Sequence, residues 1–168
     1  MEYMILQIPE VSGETTLEGF GEPPGIEIMS YSWNVSNPIQ SSPSNVGRTT
    51  GRPNFGELVV TKALDSTSPV LADDCASARN LGDVVLSLVR QDEAAGENLT
   101  YMKYELKNTL ISSVSVGGSG EIPVETLSLN YSAINWIYVG QKTEMASEAN
   151  AARGWDLATN KETETAGA

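Results

Sequence analysis

The stretch 124–131, VETLSLNY, alternates cleanly between apolar and polar residues. Such alternation is typical of a β-strand that has one face in a core and the other face outside it. We expect the apolar members to point inward, namely Leu127, Leu129 and Tyr131. The polar members are expected to point away from the core, namely Glu125, Ser128 and Asn130. The fold is therefore predicted to be built on half-buried strands.

Six further stretches are rich in strand-forming residues, and turn residues separate them. They are residues 4–9, 26–35, 55–62, 83–90, 99–116 and 134–139. The stretch 99–116 is long enough for one bent strand or for two strands. Turn signals at 93–98 and at Gly117–Gly120 predict hairpins. Strands in this number, with regular turns and a single helix, predict a mainly β fold that is either a barrel or a sandwich.

One helix is predicted, from about residue 69 to about residue 79. Ser68 suits the N-cap, and Pro69 suits the first helical position because its fixed φ angle is already helical. Leu71, Cys75 and Ala78 then share one face at helical spacing. The sequence therefore predicts a single helix that packs this face on the strands.

Two polar regions lie outside these elements. Residues 37–54 are rich in proline, glycine, serine and threonine, and we expect a long extended loop there. Unstructured loops of this length are uncommon in compact domains and are usually functional or mobile. Residues 141–168 are expected to form a polar C-terminal extension that is partly frayed. No feature marks a second domain, so residues 1–168 are predicted to form one domain.

The chain of 168 residues is acidic, with 22 acidic and 10 basic side chains and a formal net charge of −12. Nucleic acids and anionic membranes attract basic surfaces, so neither is expected as a partner. The apolar runs are shorter than the roughly 18–20 residues of a membrane-spanning helix. The N-terminus lacks the basic and apolar segments of a signal peptide. We therefore expect a protein that starts in the cytoplasm and does not insert into a membrane.

Histidine is absent, and Cys75 is the one cysteine. The lack of histidine excludes Ser-His-Asp and Cys-His nucleophiles and most zinc sites. A lone cysteine excludes an intramolecular disulfide, and Cys75 falls on the predicted buried face of the helix. We therefore predict no catalytic residue, no metal and no cofactor, and stability that comes from packing.

Two glycine-containing segments have other readings. Gly117–Gly120 is followed neither by a helical pattern nor by the lysine of a phosphate-binding loop, so a hairpin turn is favoured. Gly47–Arg52 places two arginines on a glycine loop, where an anion site, an assembly contact and plain solvation are the alternatives. The acidity of the chain favours the last two. Taken together, the residues indicate a β-rich binding or assembly module.

Five strings, in order along the chain, resemble the Hcp tube proteins of type VI secretion systems. They are IMSYSWNVS at 28–36, GRPNFGELVVTKALDSTSP at 51–69, LISSVSVGG at 110–118, LSLNYSAINWIY at 127–138 and GWDL at 154–157. Each string alone is weak, but five in the right order with sensible spacing are specific. On these strings the chain is similar to that family over about its whole length.

The resemblance implies a single β-barrel of two packed antiparallel sheets, with one flanking α-helix at about 69–79 and the extended loop at about 37–54. It implies a bacterial structural protein that forms a homo-hexamer ring, with rings stacked into an inner tube. Contraction of a surrounding sheath would expel the tube, so the protein would be secreted without a cleavable signal peptide. Further partners implied are a spike (VgrG-type) protein, the contractile sheath and effector proteins carried in the lumen.

Candidate site residues follow from this resemblance. The extended loop supplies the candidates for contacts between subunits or stacked rings: Asn45, Arg48, Thr50, Arg52 and Asn54. Small polar residues supply the candidates for the lumen: Ser112, Ser128 and Asn130. Six copies at −12 each would bring −72 charges together, so we expect assembly to depend on salt.

Three other functions are compatible with a mainly β chain. A tail-tube subunit of a phage-like contractile particle has the same architecture, and genome neighbours would separate it. A monomeric ligand-binding β-barrel module would need an aromatic-lined pocket. An enzyme that uses carboxylates alone would need two acids facing each other across a cleft, and no pair in the sequence is positioned for that.

Overall fold

The computed structural model describes residues 2–40, 49–91, 98–140 and 151–163. These residues contain fifteen strands and one α-helix, which confirms the mainly β fold. The strands are β1 Glu2–Gln7, β2 Ile26–Glu27, β3 Ser30–Ser32, β4 Val35–Ser36, β5 Ile39–Gln40, β6 Thr49–Thr50, β7 Asn54–Phe55, β8 Leu58–Ala63, β9 Val84–Gln91, β10 Asn98–Lys107, β11 Leu110–Gly117, β12 Val124–Asn130, β13 Ala133–Tyr138, β14 Ala151–Asp156 and β15 Lys161–Glu162. The helix α1 spans Ser68–Ala76.

Two antiparallel sheets form the body of the molecule. The large sheet has seven strands in the order β15-β14-β13-β10-β9-β1-β2, and the small sheet has four in the order β11-β12-β8-β3. Hydrogen bonds between the described strands leave both sheets open, so the structure consists of two packed sheets and not of one continuous closed barrel. The stretch 99–116 forms two strands, because Asn108 adopts a φ of 49° and turns the chain between β10 and β11.

The core lies between the inner faces of the two sheets. Leu127 and Leu129 of β12 are fully buried, and Tyr131 just beyond the strand is 5 % exposed, as predicted. They meet residues of the large sheet such as Leu86 and Leu106, which are also fully buried. Each such side chain contributes roughly 1.5–3 kcal/mol relative to an exposed one. The alternation that predicted the strand is thus the alternation that fills the core.

The prediction that Glu125 points away from the core is wrong, because its side chain points into the protein. It lies two residues from Leu127 and therefore on the same face of β12. Both Glu125 and its cross-strand partner Lys62 have fully buried side chains, and Lys62 Nζ lies 3.0 Å from Glu125 Oε2. Lys62 also contacts Asp65 Oδ1 at 2.8 Å and the hydroxyl of Ser68 at 3.1 Å. The charge of Glu125 is tolerated because it is paired inside the core.

The helix is shorter than predicted at its C-terminal end and begins differently. Thr67 is the N-cap, without a side-chain capping bond, and Pro69 lies in the first turn as expected. Ser68 does not cap, because its hydroxyl is used inside the protein, where it donates to Glu125 Oε2 at 2.7 Å. Ala78 has a φ of 50°, which places it beyond the helix and off the predicted face. On that face Leu71 is buried and Cys75 half-buried.

The predicted loop at 37–54 has strands at both of its described ends. β4 pairs with β7, and β5 pairs with β6, so the chain runs out and back as one hairpin. We call residues 35–40 with 49–55 the arm. Between the two ladders the outgoing strand advances from Ser36 to Ile39 and the returning strand from Asn54 to Thr50, so the returning strand has one extra residue. That irregularity falls at Arg52 and Pro53.

The C-terminal region contributes two strands that the sequence analysis missed. β14 pairs with β13 along its whole length, from Ala133 opposite Asp156 to Tyr138 opposite Ala151. β15 pairs with β14 and forms the edge of the large sheet. The described part of the predicted extension is therefore integrated in the sheet.

Residues 10–25, which we call the strap, cover the outer face of the large sheet. Phe20 of the strap is 8 % exposed and packs with Ile5 of β1 and Val89 of β9. The two ends of the strap pack closely on each other: a Cβ on Gly13 would fall 2.1 Å from the carbonyl oxygen of Gly25. Within the described part of the chain, no helix has the length and apolarity needed to span a bilayer.

Candidate assembly surfaces

The outer face of the small sheet is built almost entirely from residues with a hydroxyl group. The register aligns Ser30 with Thr61, Thr61 with Thr126, and Thr126 with Ser115 across the four strands. The next row across the same four strands consists of Ser32, Val59, Ser128 and Ser113. We call these eight residues the hydroxyl face. Every member except Val59 is a serine or a threonine.

The hydroxyl face carries no charged side chain, although the chain as a whole has a net charge of −12. Its members alternate with core residues along each strand: in β8, Val59 and Thr61 are partly exposed while Leu58 and Val60 are buried. A surface of short, uncharged side chains presents little that could bind a partner by charge or by a deep apolar pocket. It is a smooth wall of one sheet.

The three lumen candidates come together at one end of this face, around Glu57. The hydroxyl of Ser112 lies 2.8 Å from Glu57 Oε2, and the amide of Asn130 donates to Glu57 Oε1 at 3.2 Å. The same Ser112 hydroxyl is 3.1 Å from the carbonyl oxygen of Ser128, and Ser113 and Ser128 join their hydroxyls at 3.0 Å. The Glu57 carboxylate thus accepts hydrogen bonds from two uncharged side chains.

Ser112 reaches Glu57 because β11 bulges there. The register shifts between Ile111 and Ser113, so Ser112 is the extra residue opposite β12. Bulges turn a side chain away from the regular alternation. Glu57 is not among the site residues predicted from the sequence, although it directly precedes β8 and lies beside the polar face.

The described ring-contact candidates lie along the arm. Thr50 pairs with Ile39, and Asn54 pairs with Ser36. Arg52 lies at the irregularity and donates from its guanidinium Nη2 to the carbonyl oxygen of Leu157. The candidates Asn45 and Arg48 lie outside the described residues. The structure therefore places three of the five candidates on one hairpin.

The base of the arm enters an aromatic cluster between the sheets. Phe55 stacks on Trp136 at a centroid distance of 6.3 Å and on Trp155 at 6.2 Å. Trp33 packs 5.3 Å from Trp136, and its indole N–H donates to the hydroxyl of Tyr131 at 2.6 Å. Burial raises the pKa of Tyr131 and outweighs the lowering effect of that hydrogen bond. The cluster is thus held together by ring packing and by the hydrogen bonds of Tyr131 with Trp33 and with the carbonyl oxygen of Gly56.

An open cleft of about 190 Å³ lies between the arm and the C-terminal turn. Residues 52–55 line one side, and Trp155, Leu157 and Asn160 line the other. Among the described residues, no group of three or more Cys, Asp or Glu side chains could hold a metal ion. The features that stand out are therefore surfaces: the hydroxyl face and the arm.

The fold defines the class of the protein. A solved type six secretion system protein superposes with a TM-score of 0.85 at 25 % identity, over 97 % of this chain and 100 % of the other. Hcp1 from Salmonella typhimurium superposes with a TM-score of 0.74 at 25 % identity, over 96 % of this chain and 99 % of the other. The architecture is that of a type VI secretion protein.

The family follows from the sequence. The family described as "Type VI secretion system effector, Hcp" matches residues 5–138. Protein hcp1 of Pseudomonas aeruginosa is 32 % identical over 111 residues, which cover 64 % of this chain and 67 % of that protein. The chain therefore belongs to the Hcp family, a family of secreted structural proteins of the type VI secretion tube.

Proposed function

We propose that this tube subunit forms hexameric rings in which the hydroxyl face lines the lumen. The observation that carries the proposal is the absence of charge on this face of an acidic chain. A lumen through which other proteins pass is best lined with side chains that bind nothing strongly. Ser112, Ser128 and Asn130 lie at one end of this wall, where their hydrogen bonds to Glu57 or to each other restrain them.

In the same proposal the arm joins one ring to the next. A ring of identical subunits that closes by head-to-tail contacts needs a further contact surface to stack along the tube axis. The arm forms two short ladders of its own, separate from the two main sheets, and it carries Thr50, Arg52 and Asn54. Asn45 and Arg48, which lie outside the described residues, remain predicted contacts.

The remaining partners are proposed from family membership. They are the spike (VgrG-type) protein at the end of the tube, the contractile sheath around it and effector proteins inside it. The protein would be made in the cytoplasm and leave with the tube when the sheath contracts, without a cleavable signal peptide. We propose no enzymatic activity, no cofactor, no nucleic acid and no membrane insertion.

Native mass spectrometry and negative-stain microscopy test the ring. Six chains of 18.0 kDa would give a particle of about 108 kDa with a central hole. A chain that stays an 18.0 kDa monomer at high concentration, in low and in high salt, would contradict the proposal and favour a ligand-binding module.

Cysteine labelling tests which face lines the lumen. In a Cys75→Ala background, Ser115→Cys lies on the hydroxyl face and Ser12→Cys lies exposed on the strap. We expect a small maleimide to label both variants in stacked rings, and a bulky polyethylene-glycol maleimide to label only Ser12→Cys. Equal labelling of both positions by the bulky reagent would show that the hydroxyl face is not enclosed.

A further inference from the structure

We infer that the C-terminal strand pair β14–β15 and its turn hold the arm in one direction, with Arg52 as the positioning residue. The inference rests on the proposed function only in saying what the arm is aimed at, the next ring. The arm is attached to the large sheet at two points, and this attachment can be measured without any assembly of rings.

The first attachment is at the base of the arm. Trp136 on β13 and Trp155 on β14 are diagonal neighbours on the same face, since Ile134 pairs with Trp155 and Trp136 with Arg153. Phe55 lies nearly parallel to both rings, with interplanar angles of 20° and 27°. The C-terminal strand thus supplies half of the surface on which the arm rests.

The second attachment is further out, at Arg52. Its guanidinium crosses the cleft and donates to the carbonyl oxygen of Leu157, in the turn between β14 and β15. That acceptor is held in place, because the N–H of Leu157 donates to the carbonyl oxygen of Ser132 at 2.9 Å. The carboxylate of Asp156 then closes the turn by accepting from the N–H groups of Ala158 and Thr159, at 2.8 and 3.0 Å.

Arg52 sits at the point of the arm that most needs support. The ladder of the arm is interrupted there by one extra residue, and interrupted ladders are where hairpins bend. Among the described residues the Arg52 guanidinium makes no ion pair with a carboxylate, although acids outnumber bases more than two to one in this chain. Its contact within the described part of the chain is with a backbone carbonyl, which fixes the position of the guanidinium without pairing its charge.

Spin-label distances test the attachment directly. Labels are placed at Ile39→Cys on the arm and Asp73→Cys on the exposed side of α1, in a Cys75→Ala background diluted with unlabelled protein. We expect Arg52→Ala to widen the distance distribution at least about twofold, while the melting temperature stays the same because Arg52 is exposed. Arg52→Lys, which keeps a donor, is expected to restore much of the narrow distribution.

Arg153→Ala is the matched control. It also removes one positive charge, here from β14, but Arg153 is exposed and its described polar contacts are with Glu162 at 3.7 Å and with the carbonyl oxygen of Ala152, not with the arm. The distribution is expected to stay narrow in this variant. A distribution that stays narrow in Arg52→Ala, or widens equally in Arg153→Ala, would overturn the inference.

Microscopy of the same variants connects the attachment to assembly. We expect Arg52→Ala to form rings like the parent protein but to show a several-fold smaller fraction of rings in stacks. Stacking equal to that of the parent would mean that the direction of the arm does not matter for assembly. If the parent protein forms no rings, the proposed function fails, while the spin-label result still decides the attachment.

Discussion

Lys62 is fully buried, and all of its described polar contacts are with oxygen atoms. It lies 3.0 Å from Glu125 and 2.8 Å from Asp65, and it donates to the carbonyl oxygen of Ala63 at 3.1 Å. Two charges taken out of water are costly, and their attraction offsets that cost only when the geometry is good. The network joins β8, β12 and the start of α1. The buried charges therefore lie where these three elements meet.

Lys62→Met is expected to lower the free energy of unfolding by about 3–5 kcal/mol, because it leaves the buried carboxylate of Glu125 without its charged partner. The double variant Lys62→Met/Glu125→Leu is expected to recover most of this loss. Urea unfolding of the two variants and the parent measures both effects. A double variant no more stable than the single one would show that the pair is needed for more than mutual neutralisation.

The Asp65 carboxyl predicts a dependence of stability on pH. Partial burial raises its pKa, but hydrogen bonds from Lys62 and Thr67, with the charge of Lys62, outweigh burial and leave the pKa below 3.8. A lowered folded-state pKa gives stability that is present above the unfolded-state value and lost as the pH falls through the folded-state value. The advantage of the parent over Asp65→Asn should therefore be full near neutral pH and shrink below about pH 4.

Urea unfolding at several pH values measures this advantage. Asp73→Asn is the matched control, since Asp73 is exposed on α1 and none of the described polar contacts of Lys62 involves it. An advantage of the parent over Asp65→Asn that does not change with pH would contradict the assignment.

Single residues also show where reading the sequence succeeded and failed. The core positions Leu127 and Leu129 followed from a period of two. The same period places Glu125 inside, but its charge suggested an outward position, and only the structure reveals Lys62 as its partner. Glu57 was missed because the bulge at Ser112, which brings the polar groups to it, leaves no mark in the sequence.

At the scale of elements, residues 151–162 were the largest omission. β14 contains Gly154, and a Cβ there would lie 2.1 Å from Thr163 Oγ1 and 2.2 Å from Asn135 Oδ1. Glycine is usually a weak strand residue, and here it serves close packing. The sequence around Gly154 therefore did not predict β14, whose position is set by long-range pairing with β13. The helix and the central strands were predictable because their patterns are local.

The strap offers a test at this scale. Gly13→Ala would place a Cβ against backbone atoms of Gly25, which cannot rotate away. We expect it to lower the free energy of unfolding by about 1–3 kcal/mol through overpacking. Gly21→Ala, where a Cβ would meet no atom within 4 Å, is the control and should change stability little. Equal effects would mean that the strap is not packed as described.

At the scale of the whole molecule, the hydroxyl face differs in charge from the rest of the surface. The hydroxyl face is neutral, and many of the acidic residues lie elsewhere on the surface, including Glu14, Glu18 and Glu22 on the strap. The family strings predicted the two-sheet architecture well, because each string contains core positions. The composition of the whole hydroxyl face could not be predicted, since it depends on which residues the register places side by side.

Ring assembly is expected to strengthen with salt. Six copies carry −72 in all, and at 0.1 M salt charges more than about 10 Å apart are largely screened. Native mass measurements across a sodium chloride series should show a rising fraction of rings. Sucrose at matched osmolality is the control and should have less effect. A ring fraction that is constant or falls with salt would show that attraction between specific charges outweighs the general repulsion.

The Lys62–Glu125 pair also bears on how the chain finds its fold. The two residues face each other directly across β8 and β12. A slip of two residues would keep the hydroxyl face outside and the apolar face inside, so the alternation alone would tolerate it. Such a slip would bring Lys62 opposite Leu127 and leave both charges buried apart, at a cost of several kcal/mol. The pair therefore specifies the register of β8 and β12, because it disfavours a pairing that is shifted by two residues.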